Sequence, residues 1–187
     1  MEEKKMKKNI LSAVLIVLLV AICGQAVVDR QPQLSSEPVQ LANPWRSITE
    51  AEAKTFCMKS FSVPEGAENV DWSVMDAAVD PSGTPGALVQ LSFDLYGNRF
   101  TAREQHTGEL EVDQSGMYYD WTQKTDGTLK NWSDAVCHCF RWVGDEAYAD
   151  LCTWYDAESG TSYSVSVTAK DLDGFDLQAI AEALAPV

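Results

Sequence analysis

Positive charge is scarce in this chain. Fourteen lysines and arginines stand against twenty-eight aspartates and glutamates, a formal net charge of −14. Four of the lysines and two of the glutamates fall within the first eight residues, so the rest of the chain is near −16. Such a surface repels a polyanion, and nucleic acid is not an expected partner. Histidine is almost missing, with only His106 and His138. Cys-x-x-Cys, Gly-x-Ser-x-Gly, phosphate-loop and dinucleotide fingerprints do not occur. Residues 44–187 contain no internal repeat and no low-complexity tract. These absences remove the usual pointers to an enzyme, and no cofactor is expected.

The first residues give the firmest signal. Lys4, Lys5, Lys7 and Lys8 precede the apolar run 10–23, "ILSAVLIVLLVAIC". A basic head before such a run is an export signal or a signal-anchor. Up to Cys23 the run is short for a membrane span, and extension to Val28 reaches spanning length. Gly24-Gln25-Ala26 suits cleavage before Val27, and Cys23 offers lipid attachment as a third route. Each route places the rest of the chain outside the cytoplasm, either secreted or held on the outer side of the membrane. Residues 1–26 are therefore assigned to this segment. Residues 27–43, with Pro32 and Pro38 and no period, read as a flexible linker. Residues 44–187 read as one domain, long enough to bury a normal core.

Within that domain the expected class is α+β. We expect a twisted antiparallel sheet of six to seven strands, with an N-terminal and a C-terminal helix packed on one face. Thr49 and Glu52 have capping-box spacing, and Ala53, Phe56, Cys57 and Phe61 share a helical face. The alternation over 87–105 around Gly97-Asn98 predicts a hairpin, with Leu95 opposite Phe100 and Phe93 opposite Ala102. Further strands are expected at 68–79, 116–123, 134–143, 147–155 and 161–169. In the last, Tyr163, Val165 and Val167 alternate with Ser162, Ser164 and Ser166, which predicts one apolar and one polar face. Asp173 is the expected N-cap of a closing helix whose stripe is Leu177, Ile180, Ala181 and Leu184.

The stretch "AVCHCFRW", 135–142, holds the most distinctive chemistry. In a strand Cys137 and Cys139 share one face and His138 points to the other. One metal ion does not easily take all three, and the cysteine spacing is unlike that of known zinc pairs. A hairpin tip at Asp145-Glu146 instead sets Cys139 directly opposite Cys152, within reach of disulfide geometry. Cys137 would then be left near Cys57. Buried free thiols are the other reading. No catalytic or metal-binding residue is assigned.

Other clusters are weaker. Asp171, Asp173 and Glu182 match calcium-loop positions only in part, with Asp176 where glycine is required. Glu109, Glu111 and Asp113 form an acidic run that could supply paired carboxylates. Tyr118, Tyr119 and Trp121, with Trp132, Trp142 and Trp154, form an aromatic-rich set suited either to gripping sugars or peptides or to filling the core, and Tyr118, Tyr119, Trp121 and Trp132 are taken as the candidate binding surface.

The segments "NPWRSITEAEAKTFCMKSFSVPEGAENVDW", "SGMYYDW", "LCTWYD" and "DLDGFDLQAIAEAL" resemble an uncharacterised family of exported or anchored proteins of Gram-positive gut bacteria. The C-terminal part is also similar to a domain of unknown function in bacterial cell-envelope proteins, some of them attached to anti-sigma regulators. The resemblance covers most of 43–187 and carries no catalytic residues. With nine residues before the apolar run, direct anti-sigma function is not expected. The resemblance implies a non-enzymatic envelope module, secreted or tethered through its N-terminal segment, that binds a protein, peptide or wall component. The alternative is a small exported hydrolase using carboxylates around 104–113 and 171–176.

Overall fold

A computed structural model describes residues 43–79, 85–172 and 174–186, all within one compact unit, Asn43–Val187. The expected export segment, nearly all of the expected linker and the cap position Asp173 lie outside the described residues. Among the described residues no helix is long and apolar enough to cross a membrane.

Eight strands form one open, wholly antiparallel sheet, one or two more than expected. They are β1 (Arg46–Ile48), β2 (Glu68–Val79), β3 (Pro85–Leu95), β4 (Asn98–His106), β5 (Gln123–Leu129), β6 (Ala135–Val143), β7 (Tyr148–Asp156) and β8 (Thr161–Ala169). Their spatial order is β1-β2-β3-β4-β8-β7-β6-β5. Two four-strand meanders therefore meet at a central seam between β4 and β8. Helices are few: α1 (Glu50–Ala53), α2 (Leu177–Ala183) and a 3-10 turn at Lys130–Trp132.

The hairpin alternation produces β3 and β4, but the register differs from expectation. The turn is Tyr96-Gly97, with φ of +51° and +77°, as a type I′ turn requires at both central positions. Leu95 pairs with Asn98 and Phe93 with Phe100. The slip is two residues in total, so every side chain keeps its face. The β6–β7 hairpin has the expected register, with Cys139 opposite Cys152.

One face of the sheet is the core. Phe93, Phe100, Ala102, Val165, Val167, Cys152 and Trp154 are all buried there. A single row crosses all eight strands: Ile48, Trp72, Leu91, Ala102, Val165, Cys152, Cys139 and Thr125. Helix α2 packs over the β5–β8 half of this face with Leu177, Ile180 and Ala181 buried. Its cap is Asp176 rather than Asp173: the carboxylate accepts from Gln178 N at 3.0 Å and Ala179 N at 3.3 Å.

The N-terminal helix is a single turn. Thr49 Oγ1 accepts from Glu52 N at 3.2 Å as the capping box predicts, but the helix stops at Ala53. Tertiary packing overrides the helical period of the next residues. The chain runs on without helix so that Phe61 enters an aromatic cluster, 5.5 Å from Tyr163 and 6.2 Å from Trp132.

The opposite face is not the solvent face that the serines of β8 imply. Ser162, Ser164 and Ser166 are buried. Because β5 is the far edge strand, the connection from β4 to β5, residues 107–122, has to cross β8, β7 and β6. It does so over this face. Val112 N donates to Ser162 Oγ at 3.0 Å, and Thr107 Oγ1 meets the same oxygen at 2.9 Å. The serines supply polar partners for a loop whose backbone cannot pair in a ladder. For the same reason the expected strand at 116–123 is irregular, and β5 starts only at Gln123.

Candidate functional site

Strand alternation divides β6 into two chemistries. Cys137, Cys139 and Arg141 lie on the core face, while His138, Phe140 and Trp142 lie on the face crossed by 107–122. Each face carries a candidate site.

On the core face three sulfurs converge. Cys137 and Cys139 are neighbours on β6, and Cys152 opposes Cys139 on β7. The Sγ atoms of Cys137, Cys139 and Cys152 all lie within 4.8 Å of one another. Cys139 and Cys152 are 3.4 Å apart, and all four described cysteines are thiols. Cys137 and Cys152 are fully buried and Cys139 is partly exposed. The thiol of Cys137 is pulled down to about 7, chiefly by hydrogen bonding with Cys152 and then with Cys139. The thiol of Cys152 is pushed up by the same hydrogen bonds to Cys137 and Cys139 and by its burial.

Neighbouring residues make room for this group. Gly127 on β5 pairs with Cys137, and a Cβ there would lie 3.0 Å from Cys137 Sγ and in steric overlap with Gln178 Oε1. Gln178 holds its own place by donating from Nε2 to Thr128 O at 3.0 Å. Beside Cys139 a cavity of about 200 Å³ opens between β5, β6 and the start of α2. Its lining includes Thr125, Cys139, Arg141, Asp150, Phe175 and Gln178. Arg141 and Asp150 form a two-pronged pair there, Nε to Oδ1 at 2.8 Å and Nη2 to Oδ2 at 2.6 Å. Cys57 is elsewhere. It is buried beside Glu104 and the backbone of His106, and burial pushes its thiol up.

Glu104 is a fully buried carboxyl on the same core face. It has no solvent exposure and sits on β4 in the row containing Tyr163, Trp154 and Cys137. Ser60 Oγ donates to its Oε1 at 2.5 Å and Phe61 N to its Oε2 at 3.2 Å. Burial raises its carboxyl to about 8. The remaining carboxylates of the two acidic stretches are dispersed. Glu109, Glu111 and Asp113 are exposed on the crossing loop, and Asp171 and Asp176 are exposed near α2. Glu111 and Asp126 flank His138 at 3.6 Å and 2.7 Å, and the Asp126 hydrogen bond raises the imidazole above its ordinary value.

On the opposite face four aromatic rings form a continuous row. Trp142 meets Tyr119 at 5.0 Å, Tyr119 meets Trp121 at 5.4 Å, and Trp121 meets Phe140 at 5.7 Å between ring centroids. All four are partly exposed, Tyr118 beside them is 96% exposed, and Lys124 Nζ lies 5.5 Å from the Phe140 ring centre. Tyr118 and Tyr119 also line an open groove of about 680 Å³ with Arg99, Arg103, Met117 and Thr168. Of the aromatic residues singled out from the sequence, Tyr118, Tyr119, Trp121 and Trp142 are brought together here. Trp132 is not. It is 3% exposed in the core, with Nε1 donating to Ala181 O at 2.8 Å. The 3-10 turn, followed by left-handed Ser133 and Asp134, carries it to the core face.

Phe140 completes the row, and sequence reasoning missed it. Its alternation with Cys137, Cys139 and Arg141 was a usable signal. The third sulfur was missed as well, because register alone paired Cys139 with Cys152 and left Cys137 to Cys57, which lies elsewhere. Comparison with protein-family models, with curated proteins and with solved structures finds no match for this chain.

Proposed function

We propose that this chain is a non-enzymatic cell-envelope binding domain, exported or held on the outer side of the membrane. Its binding surface is the aromatic row, and its ligand is a wall glycan. The observation that carries this reading is the row itself: Tyr119, Trp121, Phe140 and Trp142, in mutual contact and partly open to solvent, with Tyr118 alongside. Isolated exposed aromatics are ordinary, whereas a contiguous set offers flat apolar faces to sugar rings. Phe140 and Trp142 stand on β6, where ladder geometry fixes them, and Tyr119 and Trp121 of the crossing connection pack against them. The adjoining groove extends the surface toward Arg99 and Arg103. The hydrolase alternative has less support, because Glu104 is buried in the core and the other carboxylates of its run are exposed on a separate loop.

The test is sedimentation of residues 43–187 with purified insoluble wall glycan. Wild type is expected to co-sediment. Trp121→Ala and Trp142→Ala are each expected to weaken binding by about tenfold or more, the loss of one stacked ring. Tyr96→Ala, a 77% exposed aromatic in the β3–β4 turn, serves as control. No wild-type binding, or equal loss with the control, refutes the proposal. Turnover of the glycan by wild type would favour the hydrolase.

A further inference from the structure

We infer that Cys137, Cys139 and Cys152 form a binding site for one thiophilic d10 cation, zinc(II) or copper(I). Three ligands of one kind are already assembled. Their sulfurs lie within 4.8 Å of one another, and the nearest pair is at 3.4 Å. Thiolates bound at about 2.3 Å to a single cation stand about 3.8–4.0 Å apart, in tetrahedral or trigonal geometry respectively. Small side-chain rotations reach that spacing from the observed one, with no change of strand register.

The donor set selects the class of ion. It is all sulfur; His138 points to the other face and no carboxylate belongs to the group. Soft thiolates favour zinc and copper(I) over calcium, magnesium or manganese. The site is also placed as a bound cation needs. Two sulfurs are fully buried, and the third borders the cavity of about 200 Å³ beside Arg141, Asp150 and Gln178. That opening is the entry path. It also leaves room for a water as the fourth zinc ligand, while copper(I) is satisfied by the three sulfurs. Gly127 keeps the space beside Cys137 Sγ clear. Each thiol releases its proton to solvent as its sulfur takes the metal, so three thiolates with zinc carry one net negative charge. This site is independent of the aromatic row and does not rest on the glycan-binding proposal.

The experiment is anaerobic titration of the reduced, metal-free protein with zinc(II) and, separately, with copper(I), read by competition with a chromophoric chelator and by native mass spectrometry. One equivalent of either ion is expected to bind. Affinity is expected to fall by about a hundredfold or more in Cys137→Ser, Cys139→Ser and Cys152→Ser, each of which removes one of three ligands. Cys57→Ser, beside Glu104, is expected to bind as wild type does. X-ray absorption of the wild-type complex is expected to show three sulfur neighbours, which keeps the inference testable if a serine variant fails to fold. Failure to bind either ion overturns it, as does a first shell of nitrogen and oxygen, or equal loss in Cys57→Ser. A Cys139–Cys152 disulfide in the native protein, with no metal taken up after its reduction, also overturns it.

Discussion

Glu104 ties the stability of the domain to pH in a direction opposite to that of most carboxylates. Its carboxyl is raised from 4.5 to about 8 because it is fully buried, and its oxygens meet only Ser60 Oγ and Phe61 N among the polar partners. Between these values the folded chain keeps a proton that the unfolded chain releases. Stability is therefore complete below about pH 4.5 and is lost as pH rises through about 8. At about 1.4 kcal/mol per decade, the full window amounts to about 5 kcal/mol, and about 2.5 kcal/mol falls between pH 5 and 7. Glu104→Gln removes the titration but keeps the shape. The amide oxygen accepts from Phe61 N, and the amide nitrogen donates to Ser60 Oγ. Urea unfolding followed by tryptophan fluorescence, repeated from pH 5 to 8, measures both proteins. Wild type is expected to lose about 2.5 kcal/mol relative to the variant between pH 5 and 7. His138, also raised, gives a slope of the same sign, but both proteins share it and it cancels in the difference. Parallel curves, or a wild type that gains on the variant as pH rises, would refute the reasoning.

Asp150→Ala is expected to destabilise the domain by about 3–5 kcal/mol, because it strips the carboxylate from a mostly buried ion pair and leaves the Arg141 charge behind. Trp132→Ala is expected to cost about 3–5 kcal/mol as a core truncation, whereas Tyr118→Ala stays within about 0.5 kcal/mol; equal effects in urea unfolding would contradict their assigned places. Gly127→Ala is expected to destabilise by about 1–3 kcal/mol, since its Cβ overlaps Gln178 and crowds Cys137 Sγ; a neutral or stabilising result in a thermal melt would show that this space is not needed.

What the sequence disclosed was mostly local. The β6–β7 register followed from a symmetric tip, and the stripe Leu177, Ile180, Ala181 and Leu184 located α2. Both depend on residues near in the chain. The errors arose where a distant partner decided the outcome. Helix α1 ends at Ala53 because Phe61 and the backbone of the same segment are needed at Tyr163, Trp132 and Glu104. The serines of β8 have a solvent-facing pattern, yet β8 is central and its second face is crossed by 107–122. Trp132 lies in an aromatic-rich stretch, and only the left-handed residues after it send it inward. The sulfur group was half visible. Alternation separated His138 from Cys137 and Cys139, and the hairpin brought Cys152 opposite Cys139. That the three sulfurs form one cluster depends on side-chain directions and on the missing side chain at Gly127.

The seam between β4 and β8 has a bearing on how the domain comes to be folded. Every other adjacent pair joins strands that are consecutive in the chain, so each meander can assemble from near neighbours. The seam joins strands such as those of Thr101 and Ser166, sixty-five residues apart, and it can close only after the long connection has been drawn across the sheet. Loop closure of that length is an entropic burden met before its contacts form, which places the domain among slow-folding, high-contact-order β proteins. Until it closes, two half-sheets each present an unpaired edge strand, and β4 and β8 are then the positions at which one chain could pair with another.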